Sequence, residues 1–272
     1  MNNTTATPKP TRNLTAFFIL TLVLSVPAYF IATLVPQDMV MLTALIVGLA
    51  PITAALIFAY REGRADGVKR LLKRCFDRKS ITRKIWYAPT FLLMPVLFLL
   101  ALGITTATGE PLPDTLFPVV AAPVVFLMFF ILSLFEEIGW MGYVFDPMEE
   151  RWNALRASII LGTIWAAWHI PLYILSGQGP LRVVAQLLSL IAIRTLIVWL
   201  YNNTGKNLFA VILIHAIYNV CTMMFASFYI SVGHLITCIF IIVAAAIVVF
   251  LWGAETLAQY RFGRVVQKEQ KQ

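Results

Sequence analysis

The chain has 272 residues, 60% of them hydrophobic and only 12% charged, with a mean hydropathy of +0.82 and a formal net charge of +8. A soluble domain carries about 25% charged residues, so this composition excludes an ordinary globular protein and identifies an integral membrane protein. The basic excess lies mostly between Arg61 and Lys84, with a smaller share from Arg261 to Lys271; it suits a membrane face, where anionic lipid attracts each Lys or Arg by about 1 kcal/mol, and not nucleic acid, since the stretch lies between apolar runs without interleaved aromatics or a recognition motif.

Runs long enough to cross about 30 Å at 1.5 Å per residue fall at 14–34, 39–60, 86–106, 117–142, 157–175, 181–201, 208–229 and 232–252. The first follows Lys9 and Arg12 but, from Leu14 to Leu34, exceeds the usual signal-peptide core of about 7 to 15 residues, and reads as a retained span. The pattern predicts an all-α fold: a polytopic membrane helix bundle of about eight transmembrane helices. It forms one unit over 14–252, with a cytoplasmic N-terminal tail at 1–13 and a basic cytoplasmic tail at 253–272. Lys9 and Arg12, the 61–84 loop, Arg151 and Arg156, Lys206, and the tail with Arg261, Arg264, Lys268 and Lys271 all fall on alternate loops. The opposite loops carry Asp38, Glu110, Asp114 and, among cations, Arg182. The positive-inside rule then puts both termini in the cytoplasm of a multi-pass protein, and the short tail without eukaryotic sorting signals favours a bacterial cell membrane.

Within the first basic loop, Val68, Leu71, Leu72, Cys75 and Phe76 recur at helical spacing against Lys69, Arg70, Lys73 and Arg74, the pattern of an interfacial amphipathic helix that would contact anionic lipid. Asn203, Thr204 and Gly205 mark a tight turn, and the sequon at Asn202 falls on the wrong side for glycosylation. Cys75, Cys221 and Cys238 form neither an even framework nor a CxxC pair, so no disulfide or thiolate metal site is implied.

Chemistry enters with the polar residues that the membrane must tolerate. An ionised carboxylate in hydrocarbon costs about 2.5 to 3.5 kcal/mol on insertion scales, yet Glu136 and Glu137 are adjacent near the end of the fourth run. Arg194, His169, and His215 with Asn219 lie inside the fifth to seventh runs. Counted at the helical rise, Glu136, Glu137, Arg194 and His215 lie about 8 to 10 Å from the cytoplasmic ends and His169 about 18 Å, which argues for one shared water-accessible pocket. His215 and Asn219 are four apart and share a face. Neighbouring Glu136 and Glu137 point about 100° apart on an α-helix, so one should act directly and the other support it. His234 reads as interfacial near the outer end of the last run, and Trp140, Trp165 and Trp168 read chiefly as packing.

These residues resemble the CPBP family of intramembrane proteases, which includes type II CAAX prenyl endopeptidases and Abi-like proteins tied to bacteriocin self-immunity. The family pattern EExxxR, FxxxH, HxxxN is similar to Glu136-Glu137 followed by Met141, Trp165 with His169, and His215 with Asn219, over about 117–223. Met141 stands where the family has arginine; Arg194, at comparable depth, is the expected substitute cation for Glu137. The resemblance implies an intramembrane endopeptidase acting on a peptide or protein substrate at the membrane. Glu136 with His169 would activate water, His215 and Asn219 would stabilise the oxyanion, and Glu137, Arg194, Trp140 and Trp165 would complete the site. A metal version would use Glu136, His169 and His215 as three Zn2+ ligands with an open fourth position. The alternatives are a catalytically silent member acting in binding, immunity or regulation, and a proton-coupled transporter using Glu137 and Arg194, which lacks visible inverted repeats.

Overall fold

In lipid, a chain with no water to satisfy its peptide groups must bond them within its own segments, and an apolar run does so as a helix. The computed structural model describes residues 12–77, 81, 83–114 and 119–263, and all regular structure among them is helical. Lys9, Arg264, Lys268, Lys271 and the expected start of the fourth run at Phe117 lie outside the described residues. The α-helices are α1 (Leu14–Ala32), the single turn α2 (Ala44–Val47), α3 (Leu49–Arg74), α4 (Tyr87–Ala107), α5 (Ala122–Glu137), α6 (Asp146–Arg151), α7 (Ala154–Leu175), α8 (Pro180–Asn203), α9 (Leu208–Met224) and α10 (Ser231–Trp252). A π-helix, Ile138–Phe145, joins α5 to α6. Among the described residues, seven stretches are long and apolar enough to cross a membrane, and α9 is a shorter apolar helix beside them.

Burial grades the helices. In α8, 78% of the apolar window is buried, against 22% in α1, so α8 is the central post and α1 lies at the lipid-facing edge. Helix α8 packs between α7 and α10, α5 lies along α9, α4 bridges α9 and α10, and α1 rests on α3. Ile85, Leu99, Val120 and Phe250 remain exposed, as suits side chains whose solvent is hydrocarbon. The α7–α8 contact is close because Gly162 has no side chain: a Cβ there would lie 3.1 Å from both Arg194 Cβ and Ile191 Cα. Ser158 and Thr195 share a hydrogen bond of 3.1 Å across the same seam, the small-and-polar packing typical of membrane helices.

Several expected boundaries shift. The second run does not end at residue 60: α3 continues to Arg74 through a kink at Gly63 and Arg64, where Arg64 takes a φ of 51°. The expected amphipathic helix is therefore the continuation of α3. Its Leu71 and Cys75 are buried against the bundle, while Leu72 and Phe76 stay exposed. Burial pushes the Cys75 thiol up to about 11, leaving it a packing group. The seventh run breaks at Phe225, which leaves the helix in an extended conformation, and a 3-10 turn spans Ala226–Tyr229. There Phe225 and Phe228 pack on Phe98 at centroid distances of 5.5 and 5.6 Å, and aromatic packing outweighs helix continuation. The turn also covers His234. That residue is not interfacial but buried, with its ring 4.6 Å from Phe228 and its Nε2 3.6 Å from Cys238 Sγ. The Asn203–Gly205 turn is present, and Asn202 donates to Glu149 and to Thr256 O, a structural role.

One end of the bundle gathers the cations. Arg12, Arg74, Arg151 and Lys206 meet there with Glu62 and Asp146, and the start of α7 is tied to the chain after α10 by Ala154 N–H to Glu255 O at 2.9 Å. We call it the basic end.

Candidate active site

Glu136 and Glu137 occupy the last turn of α5, immediately before the π-helix. From residue 138 onward α-helical spacing fails, because a π-turn bonds i to i+5, so an arginine at position 141 would not stand in a simple i,i+4 relation to Glu137. Pro147 has no N–H and cannot donate to Gly142 O or Tyr143 O, its partners at i−5 and i−4. Two arginines from elsewhere take over: Arg74 donates to Gly142 O at 2.7 Å, and Arg12 to Tyr143 O. Gly139 lets the segment press on α3, since a Cβ there would meet Pro51 O at 2.7 Å. π-turns of this kind recur at functional sites.

The two glutamates meet different partners. Glu137 is wholly buried, and both its oxygens are occupied. Arg194 Nη1 donates to them at 2.8 and 3.1 Å, and His215 Nδ1 lies 2.8 Å from Oε1. The expected Arg194 pairing is thus present, while Met141 is buried among apolar neighbours. Glu136 keeps one oxygen open. Its Oε2 accepts from the Trp165 indole N–H at 2.8 Å, and that is its one side-chain hydrogen bond among the described residues, leaving Oε1 open.

Trp165 is more than packing. The Arg194 guanidinium stands 4.2 Å over its ring, and the rings of His169 and His215 meet it edge-on at 5.2 and 5.3 Å. One indole thereby touches the acidic, basic and both imidazole components. His169 is placed by its own helix: Nδ1 lies 2.8 Å from Trp165 O, which leaves Nε2 open, and Tyr173 stacks on the ring at 5.8 Å. Asn219, one turn beyond His215, is half-buried, and its side chain has no hydrogen-bond partner among the described residues. Trp140 does not reach the carboxylates. It packs against Phe17, Phe18 and Trp168, and its buried indole N–H has no partner among the described residues.

The sequence did not single out the contribution of α1. Ser25 accepts from the Trp168 indole at 2.8 Å, and Tyr29 donates to Trp168 O. Both polar residues sit in an apolar span, and Ser25 is four residues after Thr21 on one face, a signal that could have found them. Nor does the large cavity coincide with the residues above. About 1100 Å³ in volume, it opens at the basic end, with Tyr143 and Asp146 on its wall. Glu136, His169, Arg194 and His215 do not line it, so the expected shared pocket is not this cavity. A smaller groove of about 400 Å³, lined by Val26, Tyr29, Pro171 and Leu175, lies between α1 and α7 about one turn beyond His169.

The fit of a metal can be tested on the donors. Open Nε2 atoms on rings fixed through Nδ1 are what a zinc site uses, but no group of three or more His, Cys, Asp and Glu among the described residues stands so as to hold an ion.

Comparison with known proteins gives two findings. The family model described as "Type II CAAX prenyl endopeptidase Rce1-like" matches residues 118–221, the stretch that carries Glu136 through Asn219. The chain is also similar to CAAX prenyl protease 2 of Methanococcus maripaludis, with 27% identity over 185 residues, covering 63% of this chain and 68% of the relative.

Proposed function

We propose that the chain, which is similar to type II CAAX prenyl endopeptidases over residues 118–221 and to CAAX prenyl protease 2 of Methanococcus maripaludis, is an intramembrane endopeptidase hydrolysing a peptide bond of a membrane-associated substrate. The observation that carries the reading is the unequal engagement of the two glutamates: Glu137 is fully occupied by Arg194 and His215, whereas Glu136 offers a free oxygen. A carboxylate held on one side and open on the other is suited to accept a proton from water. His169, whose Nδ1 is held by Trp165 O and whose Nε2 is thereby left for a ligand, is the second group to hold that water. Glu137 presents the Nε2 edge of His215 toward a substrate, as a carboxylate orients a catalytic imidazole in hydrolases generally. With the Asn219 amide, that edge supplies hydrogen bonds to the developing oxyanion.

Arg194 and Trp165 are positioning residues in this scheme. Arg194 neutralises Glu137 where Met141 cannot, and Trp165 fixes Glu136. The groove between α1 and α7 would take an apolar part of the substrate, leaving its scissile bond near His169. Prenylated C-terminal peptides are one candidate class, by the name of the relative from Methanococcus maripaludis; membrane-anchored signal remnants and leader peptides are others. The multi-pass chain would lie with its basic end toward the cytoplasm.

The test is cleavage by the purified full chain in lipid nanodiscs, read by mass spectrometry on membrane-anchored peptides of these classes. Glu136→Gln should cut turnover by about 10² to 10⁴, the usual span for a lost general base, with unchanged thermal unfolding. Turnover that survives this substitution would rule out the assignment. The silent-member reading predicts no cleavage of any substrate and an intact partner phenotype in the same variant.

A further inference from the structure

We propose that the cavity at the basic end is a binding site for an anionic phospholipid headgroup, with Arg70 and Arg151 as the pair that grips its phosphate. Three of the cavity's five cations are already committed. Arg12 caps Tyr143 O and faces Glu62, Arg74 caps Gly142 O and pairs with Asp146 at 3.1 Å, and Lys206 binds Asp146 and Glu149 at 2.9 and 2.8 Å. The other two have no carboxylate partner among the described residues. Arg151 stands 5.2 Å over the Trp152 ring, and Arg70 is exposed on the continuation of α3. The cavity has a volume of about 1100 Å³, and its wall carries Arg12, Arg70, Arg74, Arg151 and Lys206 against Glu62, Asp146 and Glu150, so the site has room for a headgroup and net positive charge to hold it.

The surroundings choose a lipid over a soluble anion. Leu72, on the α3 continuation that carries Arg70, and Phe76, in the turn that follows it, are exposed, and so is Trp152 beside Arg151. Tryptophan next to arginine marks the boundary between hydrocarbon and water, and basic pockets between helices on that boundary hold anionic headgroups while the tails lie along neighbouring apolar side chains. A free phosphate would draw on the arginines alone and gain nothing from the exposed leucine and phenylalanine. The site also reaches the chemistry. Arg12 and Arg74, on the same wall, hold the π-helix carbonyls that follow Glu136 and Glu137, so a ligand there bears on the segment that positions them. The proposal does not rest on the hydrolase reading, because binding is read without cleavage.

The experiment uses the full chain in nanodiscs of phosphatidylcholine, with or without phosphatidylglycerol, read by native mass spectrometry for retained lipid and by thermal unfolding. The wild type should retain phosphatidylglycerol in preference to phosphatidylcholine and unfold at a higher temperature in its presence. Arg70→Glu with Arg151→Glu should weaken that retention by about tenfold or more, whereas Lys69→Glu with Lys73→Glu, the same charge change on the outward face of the same helix, should change it by less than about threefold. Equal loss in the two pairs would mean diffuse surface attraction and overturn the site. No loss in the first pair would overturn it too, and so would competition by inorganic phosphate as effective as that by the lipid. Arg70→Gln with Arg151→Gln, checked to unfold like the wild type in phosphatidylcholine alone, guards against misfolding and should lose retention in the same direction.

Discussion

Two of the ion-pair networks among the described residues have nearly equal geometry in different surroundings. In the bundle interior, Arg194 and Glu137 meet at 2.8 Å with neither side chain exposed. At the basic end, Lys206 meets Glu149 at 2.8 Å and Asp146 at 2.9 Å with 47% of the Lys206 side chain exposed. Distance alone would rank them together. Solvent separates them, since charges removed from water interact strongly and tolerate no missing partner, while exposed pairs are screened and yield about 0.2 to 1 kcal/mol. The interior pair therefore builds and holds a site, and the outer network trims the ends of α6 and α8.

The contrast can be broken or sharpened by substitution. The largest expected effect is that of Arg194→Met, which leaves Glu137 buried without its counter-ion and should destabilise the protein by about 3 to 5 kcal/mol, read as thermal unfolding in detergent. A loss no greater than that of Lys206→Ala would erase the distinction. Trp165→Phe keeps the ring over which Arg194 stands but removes the indole donor to Glu136. It should cost about 1.5 to 3 kcal/mol, the range for a hydrogen bond to a charged group, visible as lower turnover with substrate affinity little changed. Gly162→Leu inserts a side chain where Arg194 Cβ and Ile191 Cα stand 3.1 Å away and should cost about 1 to 3 kcal/mol by overpacking. Turnover should fall with stability, since α8 carries Arg194 to Glu137.

The smallest effect belongs to the outer network. Burial alone would lower the Lys206 ammonium pKa, but the Glu149 and Asp146 carboxylates outweigh it and hold it above its ordinary value. A raised pKa in the folded state contributes stability that is complete below the unfolded value, about 10.4, and fades as pH rises through the higher folded value. Unfolding of the wild type should therefore lose a fraction of a kcal/mol above about pH 10.4. Lys206→Ala should lack that loss.

How much of this was legible in the sequence differs by element. The helical runs were, because length and hydropathy suffice where lipid forbids open backbone. The convergence of Glu137, Arg194 and His215 was also within reach, since depth counted along separate spans put them at one level. The roles of Glu136 and Trp165 were only partly so: a tryptophan in an apolar run reads as packing until its N–H is seen to have an acceptor. The π-helix escaped, although Pro147 was in view, because the arginines that stabilise its freed carbonyls come from residues 12 and 74 and no local pattern links them. The break at Phe225 escaped for a similar reason, being set by contact with Phe98 more than 100 positions earlier in the chain.

Arg194 supplies, from α8, the positive charge that Met141 withholds from Glu137. A double-mutant cycle tests this most directly, comparing the unfolding of Glu137→Gln, Arg194→Met and the two combined. Removing both charges should restore at least about 2 kcal/mol relative to the sum of the single losses, well beyond the additivity of independent sites. Single losses that add to within about 0.5 kcal/mol would contradict it.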